Sequence, residues 1–565
     1  MCGIHVELGP VAYIPESSEL FNRPVRTESE GTRVSDRILA CLTSDLALAR
    51  RGPDGNGAVQ RSTKHGTHVT FRGSILQLRG HIRTKVPLCS ETTKNVLVFN
   101  GEIYTSGNSV VVDSDSKWLL AQLDATEGDS VLISQLLSTV RGPWSLVYWH
   151  HTTHRLWIAK DIVGRRSLLL CLPSSSRGYL SVCSVVPREA QVRGHDWFEC
   201  PPGIFSFDAN ASRTHIDRCA SYSNKSIWLN HIWRDDKALL LFFFRRGAFA
   251  CRTDECELYD VRTKRTRQYE EFIRRKQASW YCLDRSVQLR SAHCRIPLHE
   301  SISNRDKAYF GVLFSGGLDC TILCALLHRN LQADEIIDLC SVCFDGGRSP
   351  DRKSARSALA ELERVCPGRN WRFIEVNVHS RQLSTMRQHI ESLIYPSKSV
   401  MDFNISAALW FAAKGAGTIK SGKQSSARIP YQTTCRIILS GSGADELCGG
   451  YTRHRNIFKT FGNDAFEENL RLDTLRIWQR NLGRDDRILS DHGREARFPY
   501  LDEDFMLSIL KTPVHEIAEL SLPPGIGDKK CLRELALHLG LSTTARRIKK
   551  AIQFGSKASL YEYHG

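Results

Sequence analysis

The sequence predicts a two-part protein. A β-rich sandwich is expected over residues 1–215. A doubly wound α/β unit with a helical C-terminal part is expected over 266–565, after a linker or insertion at 216–265. Three observations predict this. Short apolar runs broken by turn residues fill the N-terminal part. Strand-like and helix-like runs alternate from Ala308 to Leu439. A chain of 565 residues exceeds one core, on a prior of roughly 150 residues per domain.

The elements follow in order. His68 to Phe71, Asn95 to Phe99, Ser145 to Trp149, Arg155 to Ala159 and Leu168 to Leu172 read as strands bounded by Gly, Pro and Asn turns. Residues 216 to about 262 show neither helical nor strand periodicity. From Thr266 to Arg290, the residues Tyr269, Phe272, Ile273, Trp280, Leu283 and Val287 fall near one helical face, as in a packing helix. Strand Ala308–Phe314 leads to a helix at 321–328, Ile336–Phe344 to one at 353–365, and Trp371–Val378 to one at 380–393. A further helix covers 402–414, and strand Arg436–Leu439 follows. This is the rhythm of a parallel sheet, in which ligands bind beyond the carboxyl ends of the strands. From Ala465 onward the pattern is mostly helical.

Composition excludes several classes. Hydrophobic content of 41% and charged content of 24% are those of a globular protein. The net charge of +16 is spread along the chain without a basic block or an aromatic-basic RNA-binding pattern. It suits small anionic ligands, and no nucleic-acid partner is expected. No run of eighteen apolar residues occurs, so no membrane span is expected. Residues 1–20 lack a secretory pattern, and the 19 cysteines read as free thiols in a reducing cytoplasm. Cys340 and Cys343 have metal-like spacing but lie in an expected buried strand, so core packing is the reading taken. A homodimer is left open.

Two stretches carry phosphate and metal chemistry. Phe314-Ser315-Gly316-Gly317-Leu318-Asp319 lies at a strand-to-helix turn. Adjacent glycines let backbone N–H groups crowd around a phosphate, and the nearby acid can hold a divalent cation on it. No Gly-Lys-Ser/Thr follows, so this is not a Walker loop. Ser440-Gly441-Ser442-Gly443-Ala444-Asp445 lies at another strand end. The alternative for Asp445-Glu446 is an acid pair favoured by a helix N-terminus.

The other end of the chain carries a different set. Removal of Met1 would leave Cys2 with a free α-amine of pKa about 8, a nucleophile beside its own base. Arg50-Arg51-Gly52-Pro53-Asp54-Gly55 offers a guanidinium on a tight turn that can fork onto a carboxylate. Asn100-Gly101-Glu102-Ile103-Tyr104 offers an amide and a backbone N–H for an oxyanion, with Glu102 for an ammonium. Ser114-Asp115 supplies a second carboxylate. Together these groups describe a site for glutamine.

In these residues the chain resembles the asparagine synthetase family. Residues 1–215 look like a class II glutamine amidotransferase domain, and 266–565 look like the synthetase domain. Gly142-Pro143-Trp144-Ser145, Gly164-Arg165-Arg166-Ser167, Arg484-Asp485-Asp486-Arg487 and Asp491-His492-Gly493-Arg494-Glu495-Ala496-Arg497-Phe498-Pro499 carry a closer match within the family. The resemblance implies an α+β, Ntn-hydrolase-like glutaminase sandwich and an α/β, doubly wound synthetase of the adenine-nucleotide pyrophosphatase type. It implies glutamine hydrolysis at one site and internal transfer of ammonia to the other. There ATP adenylates aspartate or a related carboxylate, and ammonia displaces AMP.

By position, Cys2 would be the nucleophile, Asn100 and Gly101 the oxyanion hole, and Arg51, Glu102 and Asp115 the glutamine ligands. Ser315, Gly316, Gly317, Asp319, Cys320, Ser440, Gly441 and Gly443 would grip ATP and pyrophosphate. Asp319 and Asp445 would hold Mg²⁺. Lys550, or Lys549 on a one-residue shift of register, would stabilise charge on the adenylate.

The chain also departs from the family. Cys320 stands where the loop has serine, and a thiol is a poor donor to phosphate oxygens. Ser442 stands where many asparagine synthetases carry an acid proposed to take a proton from ammonia, and serine cannot do this unaided. Thr105 replaces an asparagine, and the strand around Phe71 to Gly80 lacks the usual pattern. Glutaminase activity is therefore expected to be stronger than asparagine synthesis.

Overall fold

A computed structural model describes residues 3–10, 46–63, 66–79, 84–107, 109–111, 114–172, 180–192, 196–210, 264–292, 306–421 and 427–561. Cys2 and most of the expected linker lie outside the described residues.

The N-terminal portion is a sandwich of two antiparallel sheets. One has six strands, in the order Trp197–Glu199, Leu169–Cys171, Leu180–Cys183, Gly3–Pro10, Thr67–Ile75, Gly55–Ser62. The other has five, in the order Gly203–Asp208, Arg155–Lys160, Trp144–His150, Val96–Gly101, Leu88–Cys89. Alternation along the strands explains the layering. Val96, Val98, Val147 and Trp149 point into the space between the sheets, where they meet Val6, Val69 and Phe71. The alternate residues Leu97, Phe99, Leu146 and Tyr148 point outward into a second core with Leu119, Leu123, Ile133 and Leu137. Those last four belong to the helices Asp115–Asp124 and Ser130–Thr139. Asp129 caps the second helix by accepting from the Val131 and Leu132 N–H groups.

Gly3–Pro10 and Gly55–Ser62 gave no strand signal in the sequence. The first mixes two glycines with His5 and Glu7. The second alternates half-buried and exposed residues and presents no apolar run.

The C-terminal portion is built on a seven-stranded sheet. Its order is Arg428–Gln432, Ala416–Lys420, Asn370–Asn377, Ile336–Cys343, Phe310–Leu313, Ile437–Leu439, Glu495–Arg497. Five strands are parallel. The first two form an antiparallel hairpin at the edge, where the sequence shows no strand pattern. Ile336–Cys343 is buried along its whole length, as a strand covered on both faces must be. Cys340 and Cys343 lie in that strand, and no cluster of three or more metal-ligating side chains occurs among the described residues.

From Phe310–Leu313 the chain winds one way through the next two strands, then returns to place Ile437–Leu439 on the other side. That reversal puts the loops after Leu313 and Leu439 side by side, at the crevice where such sheets bind ligands. The 28-residue helix Lys264–Ser291 buries Leu283 and Val287 against this portion. No helix among the described residues is long and apolar enough to cross a membrane.

Candidate active site

The loop after Phe310–Leu313 turns on Gly316, whose φ is +72°. A Cβ there would collide with the backbone of Ala355, so only glycine fits. Gly317 caps the helix Leu318–Asn330, and its N–H donates to Ser315 Oγ at 3.3 Å. Arg547 donates to the Gly316 carbonyl and ties the loop to the C-terminal tail. Cys320 is buried; its thiol approaches the Gly317 carbonyl at 3.4 Å and so braces the loop from within. Gly316→Ala is expected to strain the loop by ~1–3 kcal/mol. It should remove any rise in melting temperature that ATP gives the native protein.

The second loop meets the first at Gly441, where a Cβ would lie 2.9 Å from Asp319 Cβ. Gly443, with φ of +98°, caps the short helix Ala444–Cys448 against Leu501. Ser440 Oγ and Ser442 Oγ share a hydrogen bond of 2.9 Å.

Asp319 and Asp445 are drawn together by Lys529. Its ammonium lies 2.7 Å from Asp319 and 2.6 Å from Asp445. Burial works against that charge, but the two carboxylates outweigh it and hold the amine above the ordinary lysine range. For Asp445, burial opposes ionisation, yet Lys529 and Lys549 hold its carboxyl well below the usual range. Lys529 sits at φ +52°, an uncommon conformation for a lysine and of the kind that clusters at functional sites. Nothing in the sequence marked it.

The lysine at Asp445 is Lys549, which also lies over the Tyr451 ring. Lys550 does not reach the carboxylates. It is exposed and lies near Asp351, so the register differs by one residue from the first expectation.

Asp319 and Asp445, in the first turns of two helices and gripping one ammonium, are the residues that would hold Mg²⁺. Mg²⁺ sites of this kind take one or two carboxylates and complete their shell with phosphate oxygens and water. The residues present therefore suit a cation brought with a nucleotide.

In the N-terminal portion, Asn100 and Gly101 end the strand Val96–Gly101 opposite Ser145 and Trp144. Gly101 has φ of +149°, and a Cβ would strike the Pro143 carbonyl. Asp115 begins the helix Asp115–Asp124 and accepts from the Ile103 N–H at 3.1 Å. Burial first, then the Glu102 charge, pushes its pKa up to about 7. The raised value lies above the ordinary carboxylate value of about 4. Its contribution to stability is therefore present below that ordinary value and lost as pH rises through about 7. Asp115→Asn should raise the melting temperature more at pH 8 than at pH 5.

Arg51 and Glu102, expected to hold glutamine, are both engaged across the seam between the portions. Arg51 lies 2.6 Å from Asp486. Glu102 lies 2.6 Å from Arg79 and 3.7 Å from Arg497. Arg166 links the two halves of this chain of charges, at 3.2 Å from both Asp486 and Glu495. Arg497 closes on Glu495 at 2.7 Å. Nearby, Arg165 joins Asp161 at 2.9 Å and Glu503 at 2.5 Å, and Arg487 joins Glu199 at 2.7 Å. The motifs at 164–167, 484–487 and 491–499 thus meet at this seam. Cys2 lies outside the described residues, but Gly3 lies against Leu48 and Ser74, beside the turn that carries Arg51.

Comparison with known proteins agrees with this division. Residues 30–189 match the glutamine amidotransferase domain family, and residues 298–463 match the asparagine synthase family. The chain is similar to asparagine synthetase domain-containing protein 1 of Bos taurus, at 31% identity over 92% of this chain and 93% of that one. The Gallus gallus protein of that name is 30% identical over 91% and 93%. The Mus musculus protein is 31% identical over 92% and 94%.

Proposed function

Because the chain belongs to the asparagine synthetase domain-containing protein 1 family, we propose that it is an ATP-dependent amide synthetase that takes its nitrogen from glutamine. The observation that carries this reading is the meeting of Asp319 and Asp445 at the reversal point of the parallel sheet, with Lys529 and Lys549 beside them.

The Cys2 thiol attacks the side-chain amide of glutamine while Asn100 and the Gly101 N–H stabilise the oxyanion. Glu102 and Asp115 would hold the ammonium of glutamine. Arg51 would take its α-carboxylate on shifting from Asp486. Ammonia released there enters the C-terminal portion. The glycine loops at 315–317 and 440–443 receive the phosphates of ATP, and Mg²⁺ on Asp319 and Asp445 would neutralise the departing pyrophosphate. Lys549, paired with Asp445, would balance charge on the adenylate. With aspartate as acceptor the product is asparagine.

Incubation with glutamine, aspartate, ATP and Mg²⁺ should yield glutamate, asparagine and AMP together. Glutamate without AMP under every condition would reject the synthetase step.

Ser442 supports a second reading. Its hydroxyl is bonded to Ser440 and offers no base for the attacking ammonia. A scaffold with a binding or regulatory role, or a synthetase with another acceptor, accommodates that residue. Mass spectrometry of the N-terminus separates scaffold from enzyme, since a retained Met1 leaves Cys2 without its free amine.

A further inference from the structure

A cavity of about 1020 Å³ lies between the two portions. That is at the top of the roughly 300–1,000 Å³ range of pockets that enclose drug-sized ligands. The N-terminal sandwich lines it with Ile158, Leu172, Phe198 and Phe205, and the C-terminal portion with Met401 and Ile405. At one end its wall includes Glu446 and Tyr451, beside Asp445 and Lys549.

One wall is formed by the π-helix Trp478–Leu482. π-turns are rare and lie frequently at functional sites. Here the wide turn brings four successive residues, Trp478, Gln479, Arg480 and Asn481, to the cavity. Asn481 then reaches Glu446 at 2.8 Å and fixes the end nearest the phosphate loops.

Most charged groups of the wall are paired; Glu446 instead accepts from Tyr451 and Asn481, and Arg480 lies 3.9 Å from Asp473. Arg487 pairs with Glu199 at 2.7 Å, Arg453 with Asp473 at 2.5 Å, and Arg484 with Asp402. The ammonium and α-carboxylate of aspartate would have to break such pairs. An apolar body would only displace water from the surface between them.

Resting on the amide-synthetase reading, we propose that this chamber holds the body of the acceptor, and that the acceptor is a carboxylic acid with an apolar or aromatic body larger than aspartate. Its carboxylate oxygen forms a bond to the α-phosphorus of ATP, and pyrophosphate leaves with the electrons of the broken P–O bond. The lone pair of ammonia then forms the C–N bond and a proton passes to solvent. The C–O bond to AMP breaks, and AMP leaves with that electron pair.

The test uses the full-length protein with 4-phenylbutyrate, decanoate and aspartate as probes. Binding is followed by tryptophan fluorescence, since Trp197 and Trp478 line the chamber. Acceptor-dependent ATP–pyrophosphate exchange is measured in parallel. An aromatic or alkyl acid should bind and support exchange at least tenfold better in kcat/KM than aspartate. Ile405→Trp should reduce both by tenfold or more, while its far-ultraviolet circular dichroism and melting temperature stay near native and so report on folding. Exchange with aspartate alone, unchanged in Ile405→Trp, overturns the chamber assignment and leaves the synthetase reading standing. Binding of a hydrophobic acid without exchange for any acid overturns the synthetase reading and supports the chamber. Neither binding nor exchange rejects both.

Discussion

Lys529→Met is expected to abolish acceptor-dependent ATP–pyrophosphate exchange and to lower the melting temperature sharply. Among the described residues, the Asp319 carboxylate takes both of its hydrogen bonds from Lys529. Removing one partner of a buried pair costs about 3–5 kcal/mol, because a charge is left behind without compensation. Lys549 still reaches Asp445, so the deficit concentrates on Asp319. Arginine should not rescue the change. The Gly450 backbone lies so close to the Lys529 stem that a planar fork has no room. Mg²⁺ should stabilise Lys529→Met more than the native protein, since it substitutes for the lost ammonium between two carboxylates. Unchanged exchange, with no added response to Mg²⁺, would show that the lysine does not organise the site.

Arg166→Met should have the second-largest effect, in a different place. Arg166 is 1% exposed and spans Asp486 and Glu495, two acids of the C-terminal portion, from a loop of the N-terminal one. It also donates to the Ala496 carbonyl at 2.9 Å. The loss should again be about 3–5 kcal/mol, and it should fall on the seam more than on either core. Calorimetry should therefore show one unfolding transition separating into two. Glutamine-driven product formation should fall further than formation from added ammonia, because Arg51 shares Asp486 with Arg166. A melting profile within a degree of native would reduce these ion pairs to incidental contacts.

The parts legible in the sequence were those with local causes. Glycines flanked by an apolar strand and a helix announced the loops at Ser315 and Ser440, and their acids lie together in the fold. The alternation of strands and helices announced the parallel sheet. The seam was visible as words without a meaning. The motifs Gly164–Ser167 and Arg484–Arg487 could be recognised, but ion pairs separated by some three hundred residues carry no periodicity, and only folding shows that Arg166 meets Asp486. Lys529 was silent for the same reason, since its partners Asp319 and Asp445 lie far upstream. Lys549 and Lys550 are adjacent and chemically identical, so composition could not choose between them; the backbone direction did. Cys320 reads as a loop residue, yet its side chain turns inward. Gly55–Ser62 has no apolar run because one of its faces meets solvent.

The charges along the seam also work as an address. Arg51 and Arg166 of one portion pair with Asp486 of the other, and Arg487 pairs back with Glu199, so like charges brought into that register would repel. Residues 1–215 and 266–565 made as separate polypeptides should find each other and reconstitute one particle. A half taken from a distant amidotransferase without the Arg484–Arg487 pattern should be refused. Swapping halves to build chimaeras will therefore require transplanting the seam first.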